Sequence, residues 1–508
     1  MTNNQIAMLI AMAAYLVCMV AVGIKASDRT ETVGDFYLGG RKLGPFVTAM
    51  SAEASDMSSW LLMGLPGVAY LSGTAEAGWT AIGLAVGTYL NWLFVAKRLR
   101  RYTEKTGSIT VPEFFSNRYG DRRNVLTALA ALMIVVFFVP YTASGFAACG
   151  KLFKSLFGTD YHAAMIISAA IIIFYTAMGG FLAASNTDFI QSIVMSVALL
   201  IVLIFGNIQA GGPAAVLENA KSLPGYLSMT HSYDPASGTA SAYPLLTVCS
   251  LMAWGLGYFG MPHILLRFMA IEDDNKLRLS RRVASIWVVI SMTIAVTIGI
   301  VGLGMSKAGA VGTLEGSASE TIIVEIASLL STYGIPAALI AGVVLSGILA
   351  STMSTSDSQL LAASSSVSND ILAKFLHINM SQKKNLVVSR ISLIAIAIIG
   401  VVMAWDPDSS VFRIVSFAWA GFGAAFGPQM LFALFWRRSN KYGALAGMLA
   451  GGAMVFIWKY GIAGLGGGFA IYELLPAFVT ALLVNVVVSL LTPAPAPEIA
   501  DTFDSVEK

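Results

Sequence analysis

The chain has 508 residues, of which 56% are hydrophobic and only 12% charged, and its mean hydropathy is +0.75. Soluble domains carry about 25% charged residues, so a soluble fold is excluded, and recurring apolar runs specify an all-α polytopic membrane protein held in a lipid bilayer. The net charge of +3 decides nothing by itself, since orientation follows where Lys and Arg sit, and the spacing of Cys18, Cys149 and Cys249 points to neither a metal site nor a disulfide framework.

About thirteen transmembrane helices are predicted in chain order. The first, 6–24, reads as a retained helix rather than a cleavable leader. A broken span follows at 45–71, then 77–95, a short amphipathic piece at 111–115, and spans at 124–153, 162–178 and 181–209. The second half supplies 243–270, 284–306, 335–372, 385–404, 411–436, 442–460 and 471–491. Basic residues gather in alternate loops, at 25–42 (with Arg29), 97–123, 267–282, 374–384 and 437–441. The loop 210–242 holds only Lys221, and Asp406-Pro407-Asp408 holds none. The positive-inside rule then places the N-terminus outside and the C-terminus in the cytoplasm of a plasma membrane, the inner one in a Gram-negative source. The tail 492–508, Pro-rich and acidic, reads as a disordered extension.

Residues 51–67, SAEASDMSSWLLMGLPG, do not read as an ordinary span. A carboxylate at the centre of a spanning helix costs roughly 2.5–3.5 kcal/mol, and Glu53 and Asp56 lie within one turn of each other. Gly64, Pro66 and Gly67 weaken the helical ladder, and freed carbonyls are tolerated only against protein or water. Such carbonyls are what a dehydrated sodium ion needs: several hard oxygens with little fixed charge. A kinked helix with a structural ion pair is the alternative.

Three further stretches stand out. At 348–368, Ser351, Ser354, Thr355 and Ser358 recur at three- and four-residue spacing along one helical face, whereas Ser364–Ser366 read as close-packing residues. Residues 253–263, AWGLGYFGMPH, form a second Gly-interrupted run, and Trp60, Tyr141, Trp254 and Tyr258 are candidate walls of a small-solute pocket. Residues 417–428, FAWAGFGAAFGP, form a Gly- and Ala-rich aromatic helix. His263 reads as a structural hydrogen-bonding group, and Arg41 as either a topology charge or a gating partner. Five spans begin with each interrupted segment, and because five is odd the second set inserts in the opposite sense. The division is an extra N-terminal helix and loop at 1–43, a first repeat at 44–209 and an outer loop at 210–242. A second repeat at 243–436, two extra C-terminal helices at 437–491 and the tail 492–508 complete it.

From Ala54 through Ser58, and from Trp60 to Gly67, the chain resembles the first core helix of the sodium/proline symporters in the sodium–solute symporter family. WGLGYFG-PH and Met353-Ser354-Thr355 resemble that family's substrate-binding and hydroxyl-bearing helices, and 417–428 resembles its outer-gate helix. Glu53, Ser59, Ser351, Met261 and Asp357 depart from the pattern.

The resemblance implies a five-plus-five inverted-repeat core and a secondary transporter coupling inward Na⁺ flux to L-proline uptake by alternating access. It implies a Na⁺ site from the carbonyls of Ala54, Met57 and Ser351 and the hydroxyls of Ser354 and Thr355, with Asp56 supporting. It implies a proline site from Trp60, Tyr141, Trp254, Gly257, Tyr258 and Pro262. Some relatives bind a second sodium using an Asp at the position of Asp188, and Asp357 stands where a hydroxyl is usual. Asp188, Ser354, Asp357 and Ser358 are therefore candidates for a second cation site. A proton shared by the two carboxylates, or Asp357 meeting water at the cytoplasmic exit, are its alternatives. No cofactor beyond Na⁺ as coupling ion, no nucleic acid and no obligate protein partner are expected. A channel would need a continuous polar path, an enzyme a nucleophile–base pair or metal motif, and a sensor a signalling domain. Another small amino acid or carboxylate, and H⁺ or Li⁺, stay open as substrate and ion.

Overall fold

The computed structural model describes residues 2–27 and 32–507; Arg29 and Lys508 lie outside the described residues. Helix α1 (Asn3–Ser27) buries Met8, Met12, Tyr15 and Met19, a four- and three-residue spacing that makes one apolar stripe, and leaves Ile10 and Val17 exposed. Helix α2 (Val33–Leu38) opens on a capping box of Thr32 and Asp35. The broken span is α3 (Pro45–Ser59), a wide turn at Trp60–Gly64, and α4 (Leu65–Ser72). Next come α5 (Thr74–Leu90), a second wide turn at Asn91–Val95, α6 (Ala96–Thr106), α7 (Val111–Tyr119) and α8 (Val125–Phe157), which carries Pro140. The spans expected at 162–178 and 181–209 lie in one element, α9 (Tyr161–Gln209), interrupted where Gly180 adopts φ 64°.

The loop 210–242 is structured. It holds α10 (Pro213–Lys221) and an antiparallel hairpin, β1 (His231–Asp234) with β2 (Thr239–Ala242), in the register His231↔Ala242 to Asp234↔Thr239. The Tyr226 hydroxyl donates to the carbonyls of Ala69 and Tyr70 at 2.7 and 2.9 Å, tying this loop to the end of α4. The second interrupted segment is α11 (Leu245–Met252), tight turns over Ala253–Gly260, and α12 (Pro262–Ala270). Then follow α13 (Leu277–Lys307), α14 (Ile322–Ser331), α15 (Ile335–Ser365) with a wide-turn extension to Phe375, and α16 (Gln382–Met403). Helices α17 (Val411–Phe435), α18 (Lys441–Ile457), α19 (Leu474–Leu491) and α20 (Pro497–Glu507) complete the chain.

Among the described residues ten helices are long and apolar enough to cross a membrane, and eleven if the bent pair Leu245–Gly260 and Pro262–Ala270 counts as one span. Two expected spans do not meet that measure alone: the broken α3–α4 and the Tyr161–Phe174 part of α9, an apolar helix too short for it. Helix α15 packs against α1, α3, α8 and α9, so the hydroxyl-rich helix runs through the centre of the bundle.

Two sequence expectations need correction. The tail is not a disordered extension: α20 buries Ala500, Phe503 and Val506, spaced one turn apart. The Phe503 ring lies 4.7 and 5.6 Å from the guanidinium carbons of Arg118 and Arg98, and Arg437 pairs with Asp504 at 2.9 Å. Nor are all the basic residues of the counted clusters loop charges. Arg100, Arg118 and Arg267 are buried, and Arg100 and Arg118 donate to the carbonyls of Ile271 and Ala433 at 2.8 and 2.7 Å.

Candidate functional site

The break in α3 lies at Ser58 rather than at the Gly64–Gly67 exit. Ser58 adopts φ 48° and ψ −171°, a backbone conformation L-residues seldom take and one that costs about 1–3 kcal/mol. One local bond and one from a distant helix hold it there. The Trp60 N–H donates to Ser58 Oγ at 3.1 Å, and the Tyr141 hydroxyl donates to the Asp56 carbonyl at 3.0 Å.

Helix α15 meets the break directly. Ser354 Oγ lies 2.8 Å from the Ala54 carbonyl and 3.2 Å from that of Ser351, while the buried Thr355 hydroxyl has no hydrogen-bond partner. The Met57 carbonyl accepts from the Trp60 N–H and keeps a second lone pair. Thus Ala54, Ser351 and Ser354 come together as expected, with an unpaired hydroxyl from Thr355 one residue on. These are hard, neutral oxygens, a donor set that fits Na⁺ better than a softer or more highly charged ion. Asp56 is nearly buried, and its Oδ2 accepts from the Tyr258 hydroxyl at 2.6 Å. Its carboxylate is thereby held at the break in α3.

Asp56 and Met57 also line a cleft with Trp60, Tyr141, Trp254 and Trp419. Trp254 stands 5.5 Å from both Trp60 and Phe412 and 5.0 Å from Tyr472, so the rings close over the cleft. The cleft encloses about 10 Å³, room for about one water molecule. Beyond Trp254 lies a vestibule of about 690 Å³, bordered by Pro235, Glu320, Phe412 and Tyr472. Glu320 holds Phe412 in place: it accepts from the N–H groups of Val411 and Phe412, each at 3.0 Å, and pairs with buried Lys151 at 2.9 Å.

Of the expected proline contacts, Trp60, Tyr141 and Trp254 line the cleft, and Tyr258 stands behind it on Asp56. Gly257 serves Trp419, because a Cβ there would come within 2.0 Å of the Trp419 indole nitrogen. Pro262 is buried at the start of α12 and does not line the cleft. His263 is buried against Phe138 and Tyr141. Arg41 donates to the carbonyls of Met269, Ser108 and Thr103 at 2.6–3.0 Å, joining the end of α12 to the α6–α7 turn. Burial, and then the neighbouring Arg100, lower its pKa to about 10, so it remains a cation at neutral pH.

Asp188, Asp357 and Ser358 come together as well, but around Arg267, which lies at the end of the 243–270 span and which the positive-inside count takes as a topology charge. The Arg267 guanidinium donates to Asp188 Oδ2 at 3.0 Å, Ser358 Oγ at 2.6 Å and Ser51 Oγ at 3.0 Å. Ser51 in turn donates to Asp188 at 2.7 Å, and Ser358 to Asp357 at 3.2 Å. Asp188 Oδ1 and Asp357 Oδ2 remain without hydrogen-bond partners. Ser354 bonds toward Ala54 rather than into this group. Trp92 and Thr88 were also missed: both donate to Glu53, at 3.1 and 3.4 Å. The signal for Arg267 was present, a cation flanked by Leu266 and Phe268 within an apolar run.

Known proteins resemble this chain over nearly its whole length. The sodium/proline symporter of Haemophilus influenzae is 43% identical over 505 residues, covering 98% of this chain and 97% of its own. The high-affinity proline transporter PutP of Bacillus subtilis is 41% identical over 490 residues (96% and 99%), and the Escherichia coli sodium/proline symporter 41% over 502 residues (98% and 95%). A solved Na⁺-coupled sialic acid symporter superposes with a TM-score of 0.77 at 18% identity, over 96% of this chain and 99% of that one, a likeness of fold. The family model "Sodium:solute symporter family" matches residues 36–451, from α2 through most of α18. A broken helix facing a hydroxyl-bearing helix, and a match that spans the whole bundle, lead to one conclusion: the chain belongs to the sodium:solute symporter family.

Proposed function

We infer that this multi-pass cell-membrane protein is a secondary transporter, not an enzyme, and couples inward Na⁺ flux to uptake of L-proline by alternating access. The observation that carries this is the meeting of Ser354 with the Ala54 carbonyl beside Asp56 and Met57, which also line the aromatic cleft. An ion there orders the same turn of α3 that the solute touches, which is how one site biases the other. The names of the near full-length relatives support proline and Na⁺ as the pair. Trp60, Tyr141 and Trp254 would hold the pyrrolidine ring and its ammonium. The Na⁺ ligands are Ala54, Met57, Ser351, Ser354 and Thr355, and Asp56 supplies the nearby negative charge.

The two interrupted segments support a five-plus-five core, 44–209 and 243–436. The charge clusters support an N-terminus outside and a cytoplasmic C-terminus. For the cluster at Asp188, the position of Arg267 favours a tethered cation over a second sodium, and hence one Na⁺ per proline. A tenfold sodium gradient supplies about 1.4 kcal/mol and 100 mV about 2.3 kcal/mol, so one ion sustains roughly 500-fold accumulation of zwitterionic proline. Radiolabelled L-proline uptake into proteoliposomes, with and without an inward Na⁺ gradient at fixed pH and clamped voltage, tests this. Concentrative, sodium-dependent uptake with a sodium Hill coefficient of one is expected, unchanged in Asp357→Ser. Absence of uptake by sodium-binding protein would remove proline as substrate, and a coefficient near two that falls in Asp357→Ser would restore the second ion.

A further inference from the structure

A second cavity, of about 430 Å³, opens between the Asn91–Val95 turn and the start of α13. Lys97, Arg278 and Arg281 border it, and Asp274 is the acid on its wall. That acid is already held by Arg101 at 2.6 Å, with Lys97 at 3.9 Å, so the cavity keeps an excess of positive charge. Arg281 Nε is buried there without a hydrogen-bond partner, and its guanidinium lies 5.4 Å over the Tyr89 ring. Beside these cations Leu93, Phe94, Leu279 and Ile286 are exposed on the outer faces of the same elements.

We propose that this cavity binds the phosphate of an anionic phospholipid from the leaflet on the side of the basic clusters. Guanidinium groups match phosphate oxygens in pairs, and an ammonium adds a point charge. Basic pockets between membrane helices take anionic headgroups in this way. A free phosphate would satisfy the same cations, but it would leave the adjoining apolar residues uncovered; acyl chains cover them. The occupant also reaches the transport machinery. Trp92 forms the inner wall of the cavity, and its indole N–H donates to Glu53 at 3.1 Å, three residues before Asp56 in α3. A bound headgroup steadies Trp92 and, through Glu53, the broken helix.

The test uses full-length protein in phosphatidylcholine nanodiscs, titrated with pyrene-labelled phosphatidylglycerol and read by energy transfer from tryptophan. Removing two cations in Arg278→Gln/Arg281→Gln raises the half-saturating lipid fraction by about thirtyfold. Arg278→Lys/Arg281→Lys keeps most of the binding, and the distant pair Lys383→Gln/Lys384→Gln shifts it by less than about twofold. Equal loss in the distant pair, equal loss in the lysine variant, no preference over labelled phosphatidylcholine, or displacement by inorganic phosphate would each overturn the proposal. In proteoliposomes with and without phosphatidylglycerol, Trp92→Phe, which lacks the indole N–H, is expected to bind the lipid normally but to lose the lipid's stimulation of uptake. Undiminished stimulation would refute the link to Glu53. Only this last readout depends on the transport reading; binding does not.

Discussion

An ion that must be released in every cycle is best held by ligands that do not grip it with formal charge, and Ser354 and Thr355 have that character. Ser354 Oγ already meets the Ala54 carbonyl at 2.8 Å, and Thr355 Oγ1 is buried without a partner. Removing either hydroxyl should therefore raise the sodium concentration for half-maximal uptake by roughly tenfold or more, with proline affinity at saturating sodium little changed. Sodium titrations of uptake in Ser354→Ala and Thr355→Val check this; an unaltered sodium dependence in both would remove the site. Arg267 calls for a different experiment. Deleting one partner of a buried ion pair costs about 3–5 kcal/mol, because the other charge is left uncompensated. Arg267→Leu should thus be strongly destabilised, and Arg267→Leu/Asp188→Asn less so, in thermal unfolding of purified protein. Additive losses would mean the contact at 3.0 Å carries no coupling. The sequence made the hydroxyls legible by their spacing on one face. It concealed Arg267 because a basic residue near a helix end reads as a topology charge until its burial is seen.

Among the helices, composition revealed which segments are interrupted but not where. Glycine and proline pointed to 64–67, whereas the backbone turns at Ser58, which has no intrinsic preference for φ 48°. That conformation is imposed by partners distant in sequence, among them the Tyr141 hydroxyl on the Asp56 carbonyl, and no local pattern encodes them. The tail was misread for a related reason: Ala500, Phe503 and Val506 make a stripe too short to outweigh an acidic, Pro-rich composition. The second interrupted segment was placed well because its glycines are needed there. Gly257 leaves no space for a methyl group, with Trp419 Nε1 2.0 Å from where its Cβ would lie, and the Trp419 indole donates to the Trp254 carbonyl at 2.7 Å. Gly257→Ala should push Trp419 into the cleft and lower proline affinity by about 5- to 150-fold, as overpacking of about 1–3 kcal/mol implies. Sodium binding, measured separately, should change far less. Equal losses in the two would show that the substitution disturbs the whole bundle.

At the scale of the molecule the remaining question is which way the vestibule faces, and charge and architecture bear on it independently. The vestibule of about 690 Å³ is bordered by Pro235, between the two hairpin strands, and narrows at Trp254 onto the cleft. The basic residues of α6 and the 437–441 loop lie at the other end with α20, which Arg437 holds through Asp504. If positive charge marks the cytoplasm, the hairpin is outside, and proline arriving from the medium meets Trp254 before it meets Asp56. Cysteine labelling decides this. Cys18 and Cys249 are exposed and Cys149 is buried, so Cys18→Ala/Cys249→Ala gives a background of low reactivity. In that background Ser237→Cys, at the hairpin turn, should react with a membrane-impermeant maleimide on intact cells. Ser505→Cys, exposed on α20, should react only after the membrane is opened. The opposite pattern would turn the whole bundle over: the vestibule would then receive proline from the cytoplasm, and the inward direction of uptake would have to be abandoned even if the ion ligands stood.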